Sequence, residues 1–368
     1  MKLIISGGGT GGHIYPALAI AEQLNKSLPE AELLYVGTSG SMEEELAKKA
    51  GIRFMPIRVK GMPRKLDKRS LVAAWNLVLG IMDSKRLIKN EKPDLVIGTG
   101  GYVSGPVSFV AGLSGIPVVI HEQNAFPGIT NKLLSRIADK VLLTYPDSAK
   151  YFKHQDRTVV TGNPIRKDIT SISKEEASER LDIDQKKPFV LSFGGSGGQK
   201  SLNMAVLDII TKDLLPKDIQ LLHITGTRHH DGFMESVKNK SVELSPNIRL
   251  EPYFHQMPYA MNAADLVITS GGAITLAEIS AVGVPSILIP KAYTAENHQE
   301  YNARAFEKAG ASVLILEKDL SGRLLAEKIT QALSDKELLE KMSSCTRALG
   351  KPDASEVIVR EIFNLMNI

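Results

Sequence analysis

The chain has a single cysteine, Cys345, in 368 residues. An internal disulfide and a cysteine-based zinc cluster are therefore excluded, and a reducing compartment fits. A dominant charge is lacking too. Lys and Arg number 45 against 41 Asp and Glu, a net of +4 that is too small to argue for nucleic acid. An export signal is not visible, because only Leu3-Ile4-Ile5 separates Met1-Lys2 from the first glycines. One stretch imitates a membrane span: Leu95 to Ile120 carries no charge. Its glycines (98, 100, 101, 105, 112, 115) and Pro106 and Pro117 make it a strand, a glycine turn, a helix and a second strand, all buried. The eight histidines offer no pair in metal-ligand context, since His229 and His230 are adjacent and cannot face one ion from a regular element. Neither a metal nor another cofactor is expected.

What is present is the composition of a folded α/β protein, 43% hydrophobic and 23% charged, long enough for two domains. Short apolar runs read as strands at Lys2–Ser6, Glu32–Val36, Leu95–Ile97, Val118–Ile120, Lys140–Leu143, Val159–Thr161, Phe189–Phe193, Gln220–Ile224, Leu266–Thr269, Ser286–Ile289 and Ser312–Leu316. Helical patterns lie between many of them, at Pro16–Lys26, Met42–Ala50, Leu71–Lys89, Leu202–Asp213, Thr275–Val282 and Gln299–Ala309. Such alternation predicts parallel sheets built from βαβ units.

The chain also repeats itself at close to half its length. Ile4-Ile5-Ser6 with Gly7–Gly12 returns as Val190–Phe193 with Gly194–Gly198. Asp94-Leu95-Val96-Ile97 with Gly100-Gly101 returns as Asp265-Leu266-Val267-Ile268 with Gly271-Gly272, and Gly115-Ile116-Pro117 as Gly283-Val284-Pro285. A repeat this long predicts two similar doubly wound domains, with ligand loops at the carboxyl ends of their strands and a cleft between them as the site. The first domain is expected over 1–163 and the second over 164–352. The connection lies between Thr161 and Lys187, and a last helix near Ala354–Asn367, within 353–368, is expected to pack back on the first domain.

Gly7, Gly9 and Gly12 fit G-x-G-x-x-G between a strand and a helix, a turn that offers backbone N–H groups to an anion. The acid that a nicotinamide ribose would need is missing, since the second strand ends Tyr35-Val36-Gly37-Thr38. Gly194 to Ser201 narrowly misses a P-loop, with Gln199 where the wrapping glycine belongs. Two such loops in matching places, each with a further Gly-Gly pair nearby, read as phosphate or sugar cradles. Asp182-Ile183-Asp184 spells D-x-D but lies in a polar stretch and reads as a solvated turn.

His13, directly after Gly12 at a helix start, is either a general base or a residue that caps the turn; the helix dipole there favours its neutral form. His121-Glu122-Gln123-Asn124 follows a strand and suits hydroxyl recognition, with Glu122 a rival base. Arg166, after Gly162-Asn163-Pro164, is placed to reach a diphosphate. Glu278 is either a ribose-binding carboxylate or a surface acid. Asn297-His298-Gln299 and Asn302 suit sugar hydroxyls or a solvated helix start.

Taken together, Gly7–His13, Gly100–Pro106, His121–Asn124, Gly162–Arg166, Gly194–Gly198, Gly272–Glu278 and His298–Asn302 resemble glycosyltransferase family 28. The motifs are similar to those of the peptidoglycan-precursor transferases, which move N-acetylglucosamine from UDP-GlcNAc to undecaprenyl-pyrophosphoryl-MurNAc-pentapeptide (lipid I), giving lipid II. The resemblance implies a GT-B fold, two Rossmann-like domains facing across a cleft, and an inverting, metal-independent reaction. It implies Ser196 and Thr275 near the phosphates, Phe254 at the uracil through its backbone, and Glu278 on the ribose. Gln299 with His298 and Asn302 would read the GlcNAc hydroxyls, and Arg166 would approach the donor. Thr10, Gly11, Gly12 and Asn124 would close from the first domain, with His13 the favoured base and Tyr102 and Glu122 nearby. Two positions depart from the family pattern: Ser270 stands where Arg is frequent, and His298 where Gln is.

A lipid-linked acceptor implies contact with a membrane, on its cytoplasmic face. Arg58, Lys60, Arg64, Lys65, Lys68 and Arg69 form a basic run that suits an anionic leaflet, or else a basic surface loop. Beyond it, Leu71, Val72, Trp75, Leu79 and Ile81 read as an apolar helix face. Two other readings remain open at this point: a UDP-GlcNAc 2-epimerase, and a non-catalytic nucleotide-sugar-binding subunit.

Overall fold

The computed structural model of the chain describes residues 1–63, 68–195, 197–240 and 243–368, except the side chains of Lys68, Arg69, Lys167, Asp168 and Ala295. It divides into two compact units, one of Met1–Ile165 with Asp353–Ile368 and one of Arg166–Pro352.

The first unit runs β1 (Lys2–Ser6), α1 (Gly11–Ser27), β2 (Glu32–Gly37), α2 (Met42–Lys49), β3 (Arg53–Pro56), α3 (Lys68–Glu91), β4 (Leu95–Gly98), α4 (Gly101–Leu113), β5 (Val118–Glu122), α5 (Ile129–Leu134), β6 (Lys140–Leu143) and β7 (Thr158–Val160). Its seven strands are parallel, in the order β3-β2-β1-β4-β5-β6-β7. The strands are apolar on both faces because helices cover both. Ile4, Val96, Ile120 and Val141 face α3 and α4, where Leu87, Ile88, Val103 and Val107 meet them. Their neighbours Leu3, Ile5, Ile97 and Leu142 face the other way, toward Ala17, Ile20 and Leu24 of α1.

The second unit continues with α6 (Lys174–Leu181), β8 (Phe189–Phe193), α7 (Lys200–Thr211), β9 (Gln220–Ile224), α8 (Thr227–Asn239), β10 (Ile248–Glu251), α9 (Met257–Ala263), β11 (Leu266–Thr269), α10 (Ala273–Val282), β12 (Ser286–Leu288), α11 (His298–Lys308), β13 (Ser312–Leu314), α12 (Gly322–Ser334) and α13 (Lys336–Leu349). Its six parallel strands are ordered β10-β9-β8-β11-β12-β13. Val190, Leu266, Ile268 and Ile287 form its core with Leu202, Val206 and Leu325 from α7 and α12. The last helix, α14 (Ala354–Met366), belongs to the first unit. Its Ile358, Val359 and Ile362 complete the α1 side of that core, and Glu361 pairs with Lys140.

Both sheets reverse their strand order beside the first strand of the unit, at β1/β4 and at β8/β11. The loops after β1, β4 and β5 therefore adjoin at one edge, as do those after β8, β11 and β12 at the corresponding edge of the second sheet.

Three expectations need correction. Arg53–Pro56 and Ile248–Glu251 are strands that the apolar runs did not indicate. Both are edge strands in which no side chain is fully buried. The strand expected at Val118–Ile120 runs on through Glu122. The uncharged stretch forms β4, α4 and β5 but is not all buried: Phe109 is 41% and Leu113 67% exposed on the outer face of α4. Among the described residues no helix is long and apolar enough to cross a membrane.

Candidate active site

In the first unit the glycines make close approaches that side chains would block. Gly101 has φ +77, and a Cβ there would lie 2.2 Å from Gly8 O. A Cβ on Gly100, φ +100, would lie 2.9 Å from His13 Nδ1. This packing brings the end of β4 against the start of α1. Thr99 Oγ1 donates to His13 O at 2.8 Å, and His13 Nδ1 lies 3.1 Å from Thr99 O. Thr10 is the N-cap of α1, with φ −152, but its side chain does not cap, and the first turn holds no acid. That turn, Gly11-Gly12-His13, thus presents backbone N–H groups and a positive helix end beside a histidine.

The four polar residues after Ile120 are not a solvent-facing row. His121 and Glu122 are the last residues of β5 and are buried. His121 Nε2 meets Gly162 O at 2.8 Å, and burial drives its pKa down to about 4. Glu122 accepts from Asn124 N (2.9 Å), Asn124 Nδ2 (3.1 Å), Gly128 N (3.2 Å) and Asn131 Nδ2 (2.8 Å). Burial raises its pKa, while these donors act in the opposite direction. Its carboxylate holds the 123–128 loop in shape. Gln123 Oε1 lies 3.3 Å from His13 Nδ1. Tyr102 is partly exposed, with its ring over Gly9 and Gly61, and its pKa is raised by desolvation and by Glu43.

In the second unit, the loop after β8 is pinned by a similar approach. Gly198 has φ +70, and a Cβ there would lie 2.3 Å from Thr225 O. Ser196 lies outside the described residues. Gly195 and the buried Ser270 adjoin, so this loop meets the start of α10, where Gly272 is the N-cap and the partly exposed Thr275 lies in the first turn. One turn on, Glu278 is buried, and Arg166 Nε donates to its Oε1 at 3.0 Å. Glu278 is therefore not a surface acid.

Gln299 and His298 open α11 behind Asn297, a left-handed N-cap with φ 55. Gln299 Oε1 accepts from Lys291 N at 3.0 Å. Asn302 is fully buried and donates to Gly271 O at 3.3 Å, bracing the loop after β11. The Phe254 ring is buried under Arg249, whose guanidinium lies 5.2 Å from the ring centroid. Sequence reasoning did not single out Lys291, whose Nζ donates to Gly198 O at 2.8 Å; a lone lysine after Pro290 carries no motif. Asp182 is a left-handed helix end, φ 57, and Asp184 accepts from Lys186 N, so the D-x-D segment is a turn.

The surface of the first unit carries an apolar patch. On α3, Leu71, Val72, Trp75, Leu77, Val78 and Met82 are exposed, Trp75 by 63%. Leu79 is only half-exposed, and Ile81 packs against the core. Phe109 and Leu113 of α4, and Ile129 and Leu133 of α5, are also exposed. Lys60 is exposed, whereas Arg58 is held by Asp83 in a two-pronged ion pair, Nε–Oδ2 2.8 Å and Nη2–Oδ1 2.6 Å. Arg64 and Lys65, and the side chains of Lys68 and Arg69, lie outside the described residues.

Two Rossmann-like units in one chain, each with a glycine-lined loop edge at the carboxyl ends of its strands, are the architecture of the GT-B class. The N-terminal domain of glycosyltransferase family 28 matches residues 3–143, and the C-terminal domain of that family matches residues 189–358. The chain belongs to glycosyltransferase family 28. It is 46% identical, over 100% of its own length and 90% of the relative's, to a Clostridioides difficile protein named UDP-N-acetylglucosamine–N-acetylmuramyl-(pentapeptide) pyrophosphoryl-undecaprenol N-acetylglucosamine transferase. A Finegoldia magna protein of the same name is 46% identical over 100% of this chain and 98% of that one. Among solved structures, Acinetobacter baumannii MurG matches with a TM-score of 0.78 and 29% identity, covering 99% of both chains. A UDP-GlcNAc 2-epimerase from Neisseria meningitidis shares the fold at a TM-score of 0.69 and 16% identity, covering 99% of this chain and 100% of that one.

Proposed function

We propose that this protein is an inverting hexosyltransferase that moves N-acetylglucosamine from UDP-GlcNAc to the C4 hydroxyl of MurNAc in lipid I, giving lipid II for peptidoglycan synthesis. The observation that carries this reading is the 46% identity, across both units, with relatives bearing that activity's name. The epimerase likeness, at 16% identity, concerns the fold alone.

In this reading the first unit, Met1–Ile165 with Asp353–Ile368, takes the acceptor, and Arg166–Pro352 takes the donor. His13 is the base. It accepts the C4 hydroxyl proton as that oxygen attacks C1 of GlcNAc, and the pair of the breaking C1–O bond leaves on UDP. Glu122, already accepting four hydrogen bonds, orders the loop and leaves the proton to His13. Tyr102 and Asn124 flank the acceptor, and Thr10, Gly11 and Gly12 offer a helix N-terminus to developing negative charge. In the second unit Glu278 takes the ribose hydroxyls, and Arg166, Thr275 and Ser196 take the diphosphate. Phe254 offers backbone to the uracil, and His298 and Gln299 line the sugar subsite, with the buried Asn302 bracing the loop beside them. Fixed cationic groups and N–H dipoles then stabilise the departing UDP without a metal.

The exposed face of α3, α4 and α5 is read as the membrane contact. Trp75 and its apolar neighbours would enter the interface, and Lys60, Arg64, Lys65, Lys68 and Arg69 would meet anionic lipid on the cytoplasmic leaflet. Arg58 contributes less, because Asp83 neutralises it.

The test is label transfer from radiolabelled UDP-GlcNAc to a short-chain lipid I analogue, with and without EDTA. Labelled lipid in both arms supports the transferase and its independence from metal. Tight UDP binding without transfer would turn the reading toward a binding subunit, and UDP-ManNAc among the products toward the epimerase.

A further inference from the structure

His121, Gln123 and His13 form one hydrogen-bonded chain ending on two backbone carbonyls, those of Gly162 and Thr99. Its proton positions follow from which atoms can only accept. His121 Nε2 lies 2.8 Å from Gly162 O, so Nε2 carries a hydrogen. Burial holds His121 neutral, with a pKa near 4, so its Nδ1 is an acceptor. The atom facing it at 3.0 Å is Gln123 Nε2, which donates. That nitrogen also lies 2.8 Å from Thr99 O and 3.2 Å from His121 O. The reversed amide would set an oxygen against both carbonyls. Gln123 Oε1 is thereby turned to His13 Nδ1 at 3.3 Å, beside Thr99 O at 3.1 Å. Thr99 O and Gln123 Oε1 are both acceptors, so Nδ1 carries a hydrogen, and a ring with one proton keeps its lone pair on Nε2.

We infer that Gln123, oriented by His121, is a positioning residue that holds His13 in the Nδ1–H tautomer and so makes Nε2 the proton-accepting atom. This rests on the reading of His13 as the base. In the transfer, Nε2 takes the hydroxyl proton while the acceptor oxygen bonds to C1 of the sugar and the C1–O pair leaves with UDP. The Nδ1–H stays on Thr99 O and Gln123 Oε1 throughout. A ring in the other tautomer would present an N–H to the acceptor hydroxyl and could take no proton from it.

The tautomer can be read directly. Long-range nitrogen–proton spectra of protein labelled in its histidine rings, with the His13 signals assigned by their loss in His13→Ala, should show Nδ1–H in the unaltered protein. A ring protonated on Nε2 would overturn the inference whatever any variant does. In Gln123→Met, the spectra should show mixed tautomers. The kcat of transfer should fall about tenfold or more, with the donor KM unchanged. A His13→Ala variant with undiminished kcat would remove the base reading itself. An inactive His13→Ala beside a Gln123→Met variant with unaltered kcat and a single Nδ1–H tautomer would leave the base in place and refute only the role of Gln123.

Discussion

Arg166 Nε donates to Glu278 Oε1 at 3.0 Å, so two residues read from the sequence as donor contacts hold one another. Glu278 is the buried partner, and Arg166 is half-exposed. In the proposed reading, a ribose at Glu278 would share an acid that Arg166 already orients. Glu278→Ala should raise the donor KM about tenfold or more, with a smaller change in kcat. Arg166→Met should weaken UDP more than uridine in calorimetric titrations. Equal losses for both ligands would remove the diphosphate role from Arg166.

His13→Ala should cut transfer by ~10²-fold or more while leaving UDP affinity nearly intact. Single-turnover rates and UDP titrations on the same preparation check this. Unaltered turnover would return the proton to Glu122, against its four hydrogen bonds.

For the apolar patch, Trp75→Ser combined with Leu113→Ser should lower partition onto anionic vesicles by about tenfold or more. Turnover of a water-soluble acceptor should persist. Lys60→Ala should cost about fivefold in the same assay, following ~1 kcal/mol per basic residue. Undiminished vesicle binding in the double variant would place the membrane contact elsewhere.

Acid should destabilise the protein earlier than carboxylate titration alone predicts. Burial drives the pKa of His121 down to about 4 and that of His223 to about 3, both below the ordinary 6.5. Between pH 6.5 and these values the unfolded chain binds protons that the folded chain refuses, so stability is present above pH 6.5 and is lost as pH falls through that window. Near pH 5 the loss is on the order of 2 kcal/mol per histidine. The raised pKa of Glu122 acts in the opposite sense. Urea denaturation at pH 7.5 and pH 5 measures the difference, and equal midpoints would contradict it.

Much of the fold was legible because a parallel sheet covered on both faces writes its strands as apolar runs, and because glycine marks the turns. Arg53–Pro56 and Ile248–Glu251 left no run, since an edge strand buries only part of its side chains. The loops and helix starts that carry the candidate residues were legible, but the partners of their side chains were not. A sequence carries no direction for a side chain. Asn302 therefore read as a sugar contact, although it reaches Gly271 O. Glu122 read as a rival base, although four donors converge on it. Phe109 and Leu113 read as core because composition does not reveal which face of an apolar helix meets the sheet.

Helix α14 has a consequence for biosynthesis. Ile358, Val359 and Ile362 lie on the core of the first unit, yet the ribosome delivers them only after all of residues 166–352. A nascent chain that has released β1 to β7 must wait for an entire second unit with the α1 side of its core incomplete. That interval is when chaperones would be needed most. A stop codon just before Ala354 would make it permanent.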